Sequence, residues 1–480
     1  MRKNNFLAVT LVTVFVFVLC MQPSWAAPAK PAAEHMGKIN ARMDYASMSD
    51  MSDFDPGNPV IPKGDTIKIG VISTFSGPAS MVGDISFFGA QWVAHDINKR
   101  GGILVDGKKK LIQVIKADNR GTPDGTRKAA ERMAVVEKVN LFWGSTTSAM
   151  SKIMDLVANK YKIISVNMGY ADDMHDAESF SRYSFMTDYS AEQIGRGFAY
   201  FYGQIRKKER KFYIVAQDTL GGHTISEGFK KGLKEYDPTV QIVGEDYHKM
   251  FLTDFAPYLT KVKASGAEVI FNPSAPPDGS LLVKQARQMG ITIPFAIVLA
   301  GDPVTLKGIG VEGTKGLVIS TQSNAGNPYF KSSGEIKFFK TWNELWKNKW
   351  KGFYGSPLWE NPFIRLVIYQ DQVYWAMSVL ERAGSTDPEK IIKVWEGDIF
   401  QFANGGVAKM RACDHKAIHQ LQISEFVPPE QQRQSFNIPP YHWGKDYSFY
   451  GPTWVLPTEK TLPWMDQNLD RCKGKNDWGE

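Results

Sequence analysis

Ile67-Lys68-Ile69-Gly70-Val71-Ile72, then Ser76-Gly77-Pro78, then the stretch 90–99 closed by Gly101-Gly102, is the passage that decides the fold. The first piece is a short run rich in β-branched residues, which reads as a strand. Ser-Gly-Pro is turn chemistry, and 90–99 carries apolar residues at helical spacing until the paired glycines stop it. A strand, a crossover helix and a second strand, expected at 111–117, make a unit of a parallel sheet.

Outward from there the unit repeats. Helix 126–137 leads to strand 140–143, and helix 148–160 to strand 163–166. A second series begins near Asp188: helix 191–205, strand 212–216, helix 225–236, strand 240–244, helix 255–265, strand 269–271, helix 279–288 and strand 295–299. Strand 316–320 follows, and then an aromatic-rich part with helices expected at 334–349, 362–383 and 388–396. Two series of similar size and type predict two α/β lobes, as does a length beyond what a single core supports. Open α/β sheets bind ligands beyond the carboxyl ends of their strands. That rule selects the loops 75–78, 144–148, 167–170, 217–223, 273–277 and 301–303.

The start of the chain reads as a secretory signal: Met1-Arg2-Lys3, an apolar run from Phe6 to Met21, then small residues at Ser24 and Ala26. Residues 1–26 are therefore expected to be cleaved, leaving an exported protein that does not span the membrane. The apolar run is short of the roughly 20 residues a spanning helix needs. Leu19 before Cys20 argues against a lipid anchor there. Cleavage removes Arg2 and Lys3 and no acid, so the formal charge falls from +7 to about +5. A charge that small over so long a chain does not point to nucleic acid. Cys413 and Cys472 then remain as an even pair, which in an exported chain reads as a disulfide or as two buried thiols. Residues 27–64, rich in Ala, Pro, Met, Ser and Asp, read as a linker or loosely attached arm.

Several motifs resolve to nothing catalytic. Gly308-Ile309-Gly310-Val311-Glu312-Gly313 matches G-x-G-x-x-G but reads as a loop before a strand, the wrong setting for a dinucleotide. The chain contains no P-loop, no H-E-x-x-H helix and no G-x-S-x-G elbow. No metal-ligand spacing surrounds either cysteine, so neither a cofactor nor a metal is expected.

Thr74-Phe75-Ser76-Gly77-Pro78, Gly83-Asp84, Gly89-Ala90 and Asp96-Ile97-Asn98-Lys99-Arg100-Gly101-Gly102-Ile103 resemble the opening of the leucine/isoleucine/valine-type periplasmic binding proteins. The likeness continues through Lys116-Ala117-Asp118-Asn119, Gly144-Ser145, Arg287-Gln288-Met289-Gly290 and Met410-Arg411-Ala412-Cys413-Asp414-His415. It implies an α/β chain with the type I periplasmic binding protein fold: two Rossmann-like lobes, three crossovers near Asp188, Ser320 and Gly405, and a C-terminal extension. Lobe I is expected at 65–187 plus 321–405, lobe II at 188–320 plus 406–429, and an extended strap at 430–480. The resemblance further implies no enzyme but the substrate-binding subunit of an ABC importer, which captures a small amino acid-like, carboxylate or amide ligand and docks on membrane permease subunits. The alternatives are the ligand-binding module of a sensory system and, further off, a hydrolase.

Ser145, Thr146, Thr147 and Ser148 stand where hydroxyls and the first N–H groups of a helix hold a carboxylate; the same residues also suit an ordinary N-cap. Asp302 corresponds to the acid that in amino-acid-binding relatives holds the ammonium group, and is equally a turn residue before Pro303. Phe75, Asn167, Met168, Gly169, Tyr170, Leu220 and Ala275 complete the expected binding set. Val82, Asn167-Met168-Gly169, Leu220 and 272–277 depart from the relatives, which carry a tyrosine, a hydroxyl, a tyrosine and an aromatic there. The departures imply that specificity has moved within the class. Phe75, Trp143, Tyr170 and Phe251 are candidate apolar walls or plain core. Asp414-His415 is read as support for the fold.

Overall fold

The computed structural model describes residues 36–43, 47–77, 79–275, 277–298, 303–321, 364–402, 406–431 and 446–480. A two-residue strand, β1 (Ala41–Arg42), precedes the first sheet. That sheet is built from β2 (Thr66–Ser73), β3 (Ile103–Val105), β4 (Lys108–Asp118), β5 (Leu141–Gly144), β6 (Ile164–Asn167) and β7 (Ser184–Met186). Their order is β3-β4-β2-β5-β6-β7, parallel except for the hairpin of β3 on β4. Between the strands run α1 (Ser80–Lys99), α2 (Pro123–Val135) and α3 (Ser148–Tyr161). β2 is buried on both faces, as a sheet sandwiched by crossover helices requires. Ile67, Ile69 and Val71 pack with Phe88 and Trp92 of α1 on one face, and Ile72 packs with Met133 and Met154 of α2 and α3 on the other. The helix that the sequence places at 90–99 begins ten residues earlier, at Ser80.

The second sheet takes β8 (Lys211–Gln217), β9 (Gln241–His248), β10 (Val269–Asn272), β11 (Phe295–Ile297) and β12 (Val318–Thr321), all parallel. Its helices are α4 (Ala191–Tyr200), α5 (Leu220–Tyr236), α6 (Ala256–Ala264), α7 (Asp278–Gln288) and α8 (Pro303–Thr314). Phe212, Ile214 and Ala216 face α4 and α5, while Tyr213 and Val215 face α6 and α7. The glycine motif 308–313 lies inside α8, broken at Gly310 (φ +82°), and not in a loop. It neither follows a strand directly nor opens the helix, so the dinucleotide reading fails here too.

After residues 322–363, which lie outside the described residues together with the helix expected at 334–349, come α9 (Ile364–Ala383) and α10 (Pro388–Trp395). Three short strands follow, β13 (Ile399–Gln401), β14 (Val407–Met410) and β15 (Ala417–His419), which join β1 in the order β1-β13-β14-β15. Phe400, Ala408, Met410 and Ala417 belong to the core around β2 and α1. Ala408, Met410 and Ala417 therefore keep part of 406–419 on the first core, while from Gln422 the chain pairs with the second sheet; Gly405, where a crossover was expected, lies outside the described residues. β16 (Gln422–Val427) and β17 (Phe449–Val455) then extend the second sheet antiparallel beyond β12.

Two expectations about the ends change as well. The segment 47–54 is no loose arm: Met48, Met51 and Phe54 are buried against α1 in the first core. Beyond residue 430 the chain contributes a paired strand, and Cys413 and Cys472 form a disulfide with Cα atoms 5.1 Å apart. No helix among the described residues is long and apolar enough to cross a membrane.

Candidate ligand-binding site

In each parallel sheet one strand has neighbours that lead away in opposite directions, and crevices open at such switch points, beyond the carboxyl ends of the strands. In the first sheet the point lies between β2 and β5, whose ends carry Ser73-Thr74 and Gly144-Ser145-Thr146. In the second it lies between β8 and β10, whose ends carry Gln217 and Asn272 to Ala275. The described residues of the expected binding set map to these two places or to the strand ends and helix starts beside them.

Across the first switch point Thr146 Oγ1 accepts from the Thr74 N–H at 2.8 Å and lies 2.7 Å from Thr74 Oγ1 and 3.1 Å from Ser73 Oγ. Thr74 Oγ1 donates to Asn119 Oδ1 at 2.8 Å, and Asn119 Nδ2 donates to Ser145 Oγ at 3.0 Å. This is a buried hydroxyl and amide chain at the start of α3. Thr147 is the N-cap of that helix and accepts from the Met150 N–H. Ser148 Oγ accepts from the backbone of Tyr170 and Ala171, each at 3.3 Å. Gly144, at φ +152°, has no room for a side chain, since a β-carbon would sit 2.0 Å from the Ile72 carbonyl.

Asn167, by contrast, turns inward. Its Nδ2 lies within reach of Asp155 (3.2 Å), Ser184 (2.9 Å) and His175 (3.4 Å), while Ser165 donates to Asp155 at 2.6 Å. Burial pushes the Asp155 carboxyl up to about 7 despite these donors. Burial, helped by the nearby Lys416, holds the His175 imidazole down to about 3. Met168 is buried beneath α1, with Ser86 Oγ on its sulfur at 3.5 Å. Gly169 is enclosed by Met174, whose sulfur stands 2.5 Å from where a β-carbon would be. Phe75 is half-buried at the edge of the first lobe, edge-on to Phe87 and under the Lys116 ammonium.

Tyr170 connects the two lobes. Its carbonyl accepts from the Ala191 N–H, the first of α4, at 2.6 Å. Its ring packs against the second lobe at Gly221, the residue after Leu220 at the start of α5. On that side Thr219 caps α5, accepting from the Gly222 N–H at 3.1 Å. Ala275 receives Gln217 across the second switch point: Gln217 Oε1 accepts from the Ala275 N–H at 3.0 Å. Gln217 Nε2 donates to Asp278 Oδ2 at 2.8 Å, which also accepts from the Phe251 N–H. Burial raises the Asp278 carboxyl above its ordinary range. Asp302 lies outside the described residues.

The structure thus brings Ser145, Thr146, Thr147, Ser148 and Tyr170 to one place, faces them with the start of α5, and sets Asn167, Met168 and Gly169 behind them as support. Thr74, Asn119, Gln217 and Gly221 lie in stretches the sequence selects but outside the expected binding set; their shared signal is position, each at or just past a strand end beside a switch point. A separate groove of about 320 Å³ runs between Asp53–Pro62 and the second half of α1. It borders Leu111 to Val114, at the other end of β4 from the site.

A profile of the family described as periplasmic binding protein matches residues 66–430. The Leu/Ile/Val-binding protein BraC3 of Rhizobium johnstonii is 25% identical over 274 residues, 56% of this chain and 69% of that protein. Among solved structures, the leucine-, isoleucine-, valine-, threonine- and alanine-binding protein of Brucella ovis in its closed conformation superposes with a TM-score of 0.69 at 18% identity, over 84% of this chain and 98% of that one. A solute-binding protein of an ABC transporter from Rhodopseudomonas palustris, in complex with 3,4-dihydroxybenzoic acid, superposes with a TM-score of 0.66 at 19% identity, over 82% and 98%.

Proposed function

The chain belongs to the periplasmic binding protein family, and on that premise we propose that it is the extracytoplasmic substrate-binding subunit of an ABC importer, taking a small carboxylate between its lobes. The observation that carries the ligand class is the Thr74, Asn119, Ser145 and Thr146 chain at the start of α3. Hydroxyls and the first N–H groups of a helix, which have no acceptor within the helix, favour an anion. The amino acids and the dihydroxybenzoic acid named for the Brucella and Rhodopseudomonas proteins have a carboxylate in common, which supports the same group here. Tyr170 and Leu220 would supply the apolar wall, and Asp302 would meet an ammonium if the ligand has one.

The chain performs no chemistry in this reading. Ligand contacts made to both lobes favour their closed arrangement, which docks on permease subunits in the membrane. Residues 1–26 would direct export and be removed.

The test is a thermal-shift series on the chain from Ala27 onward, with leucine, alanine, 4-hydroxybenzoate and 3,4-dihydroxybenzoate beside leucinol and benzyl alcohol. A ligand at a hundred times its Kd adds about 2.7 kcal/mol of stability, a visible shift. Acids are expected to raise the melting point and the matched alcohols to leave it unchanged. A shift with the alcohols alone would overturn the carboxylate assignment.

A further inference from the structure

The end of the chain, beyond the family match, touches both lobes. On the second lobe Leu456 is part of the core, and its N–H donates to the Leu421 carbonyl at 2.9 Å. The Tyr236 hydroxyl, at the end of α5, donates to the Lys460 carbonyl at 2.6 Å. Arg196 of α4 donates to the Leu462 carbonyl at 2.7 Å, and its guanidinium lies 4.7 Å from the centre of the Trp464 ring. Lys231 of α5 stands 3.8 Å from the same ring.

A few residues later the contacts are with the first lobe. Asp466 accepts from the Ala177 N–H at 2.9 Å. Arg471 donates to the Ala412 carbonyl at 2.8 Å and to Glu396 at 2.5 Å. Cys472 is bonded to Cys413. The segment around Cys413 is itself fixed to that lobe, since the His415 carbonyl accepts from the Met186 N–H of β7 and the Asp414 carbonyl lies 2.7 Å from His175 Nδ1. Asp477 stands between the lobes: its carbonyl accepts from Arg411 at 2.6 Å, and its carboxylate lies 3.6 Å from Arg196.

We propose that residues 456–480 are a tie across the two lobes that limits how far they separate, anchored on one side by Arg196 and Trp464 and on the other by the Cys413–Cys472 disulfide. Among the described residues, short segments at 187–190 and 420–421 join the lobes, the kind of connection that absorbs hinge movement. A strap bonded to both lobes adds a restraint those hinges lack. The disulfide matters because hydrogen bonds at an opening joint exchange with water at little net cost, about 0.5–1.5 kcal/mol each, whereas the covalent bond persists. The ligand-free lobes are thereby held near their binding arrangement, and Arg196, Trp464 and the cysteines are positioning residues for binding without touching the ligand.

The experiment needs no ligand, so its outcome is independent of the carboxylate assignment. The full chain, the double variant Cys413→Ser/Cys472→Ser and the single variant Trp464→Ala are compared ligand-free by small-angle scattering, with hydrogen exchange reporting on 456–480. Far-UV dichroism checks that helix content is kept. The tie predicts faster exchange in the strap together with a larger radius of gyration in both variants. Faster exchange in the strap with an unchanged radius of gyration would overturn it, as would exchange that neither variant alters. Should the cysteine variant fail to fold, Trp464→Ala, which keeps the disulfide and the Arg196 hydrogen bonds, tests the same restraint by the same two readouts.

Discussion

The ring of Tyr170, carried on the first lobe, lies 2.5 Å from the point where a β-carbon on Gly221 of the second lobe would sit. The start of α5 can approach the start of α3 this closely only because residue 221 has no side chain. Gly221→Ala is therefore expected to hold the lobes apart, at the roughly 1–3 kcal/mol typical of an overpacked contact. With whichever carboxylate shifts the melting point, titration calorimetry should show Kd raised about tenfold, equivalent to about 1.4 kcal/mol. Adding Tyr170→Ala removes the clash and should restore part of the stability lost on Gly221→Ala in urea unfolding, while forfeiting the ring's contact with the ligand. An unchanged Kd for Gly221→Ala would show that closure is set elsewhere.

Adjacent hydroxyls in the first lobe have separable roles. Thr147 caps α3, so Thr147→Ala should cost about 1 kcal/mol in urea unfolding and leave Kd unaffected. Thr146 holds Thr74 and Ser73 across the switch point. Thr146→Val leaves the buried Thr74 N–H without its acceptor, at about 1–3 kcal/mol, and is expected to raise Kd for the carboxylate as well. Equal effects of the two substitutions on binding would remove the distinction.

How much of this was legible in sequence follows from where the physics is local. The strand 67–72 and the helices 148–160, 279–288 and 388–396 were legible to within a few residues, since alternation, caps and stop signals reside in the segments themselves. Ser145 to Ser148 were legible for the same reason: a strand end, a glycine and a hydroxyl run announce a helix start. Asn167 was selected as a strand-end residue, but its orientation depends on Asp155 and Ser184, which only the folded sheet brings to it. Gly221 reads as one more turn glycine until Tyr170, 51 positions earlier in the sequence, is packed on it. The strands β13 to β15 are three or four residues long and carry no period of their own, so their place on the first lobe came from tertiary packing.

The inward-facing cluster behind the site has a pH signature. Asp155 has its carboxyl pushed up to about 7 by burial, against 3.8 for an exposed aspartate. A raised acid favours the folded state while it is protonated, so its contribution is complete below pH 3.8 and is lost as the pH rises toward 7. Asp155→Asn keeps the shape and cannot ionise. The melting point of Asp155→Asn relative to the native chain should rise between about pH 4 and 7 and level off above. His175, held down to about 3, works in the opposite sense, favouring the fold above 6.5 and losing that contribution as the pH falls. Because His175 is present in both chains, the difference between them isolates Asp155, and a flat difference across that window would show that this carboxyl is ionised throughout.

The stretch before β2 looks dispensable by composition, yet Phe54 is inserted among Phe88, Trp92 and His95 of α1, with ring centroids 5.6, 5.4 and 5.2 Å away. Beside it Asp53 lies 3.0 Å from both His95 and Lys99, and their hydrogen bonds hold its carboxyl down to about 2. That pair is exposed on the aspartate side, so it adds little stability at ordinary salt. The burial of Phe54 is the larger effect: removing a ring of this size from a packed site costs about 3–5 kcal/mol. Phe54→Ala should therefore lower the urea midpoint of the first lobe strongly, whereas Asp53→Asn should shift it slightly. Val60 and Ile61, 81% and 65% exposed, give the contrast within the same segment, since Val60→Ser and Ile61→Ser should stay within about 0.5 kcal/mol of the native chain. If Phe54→Ala is as mild as these two, the segment is attached by its backbone alone and contributes nothing to the core.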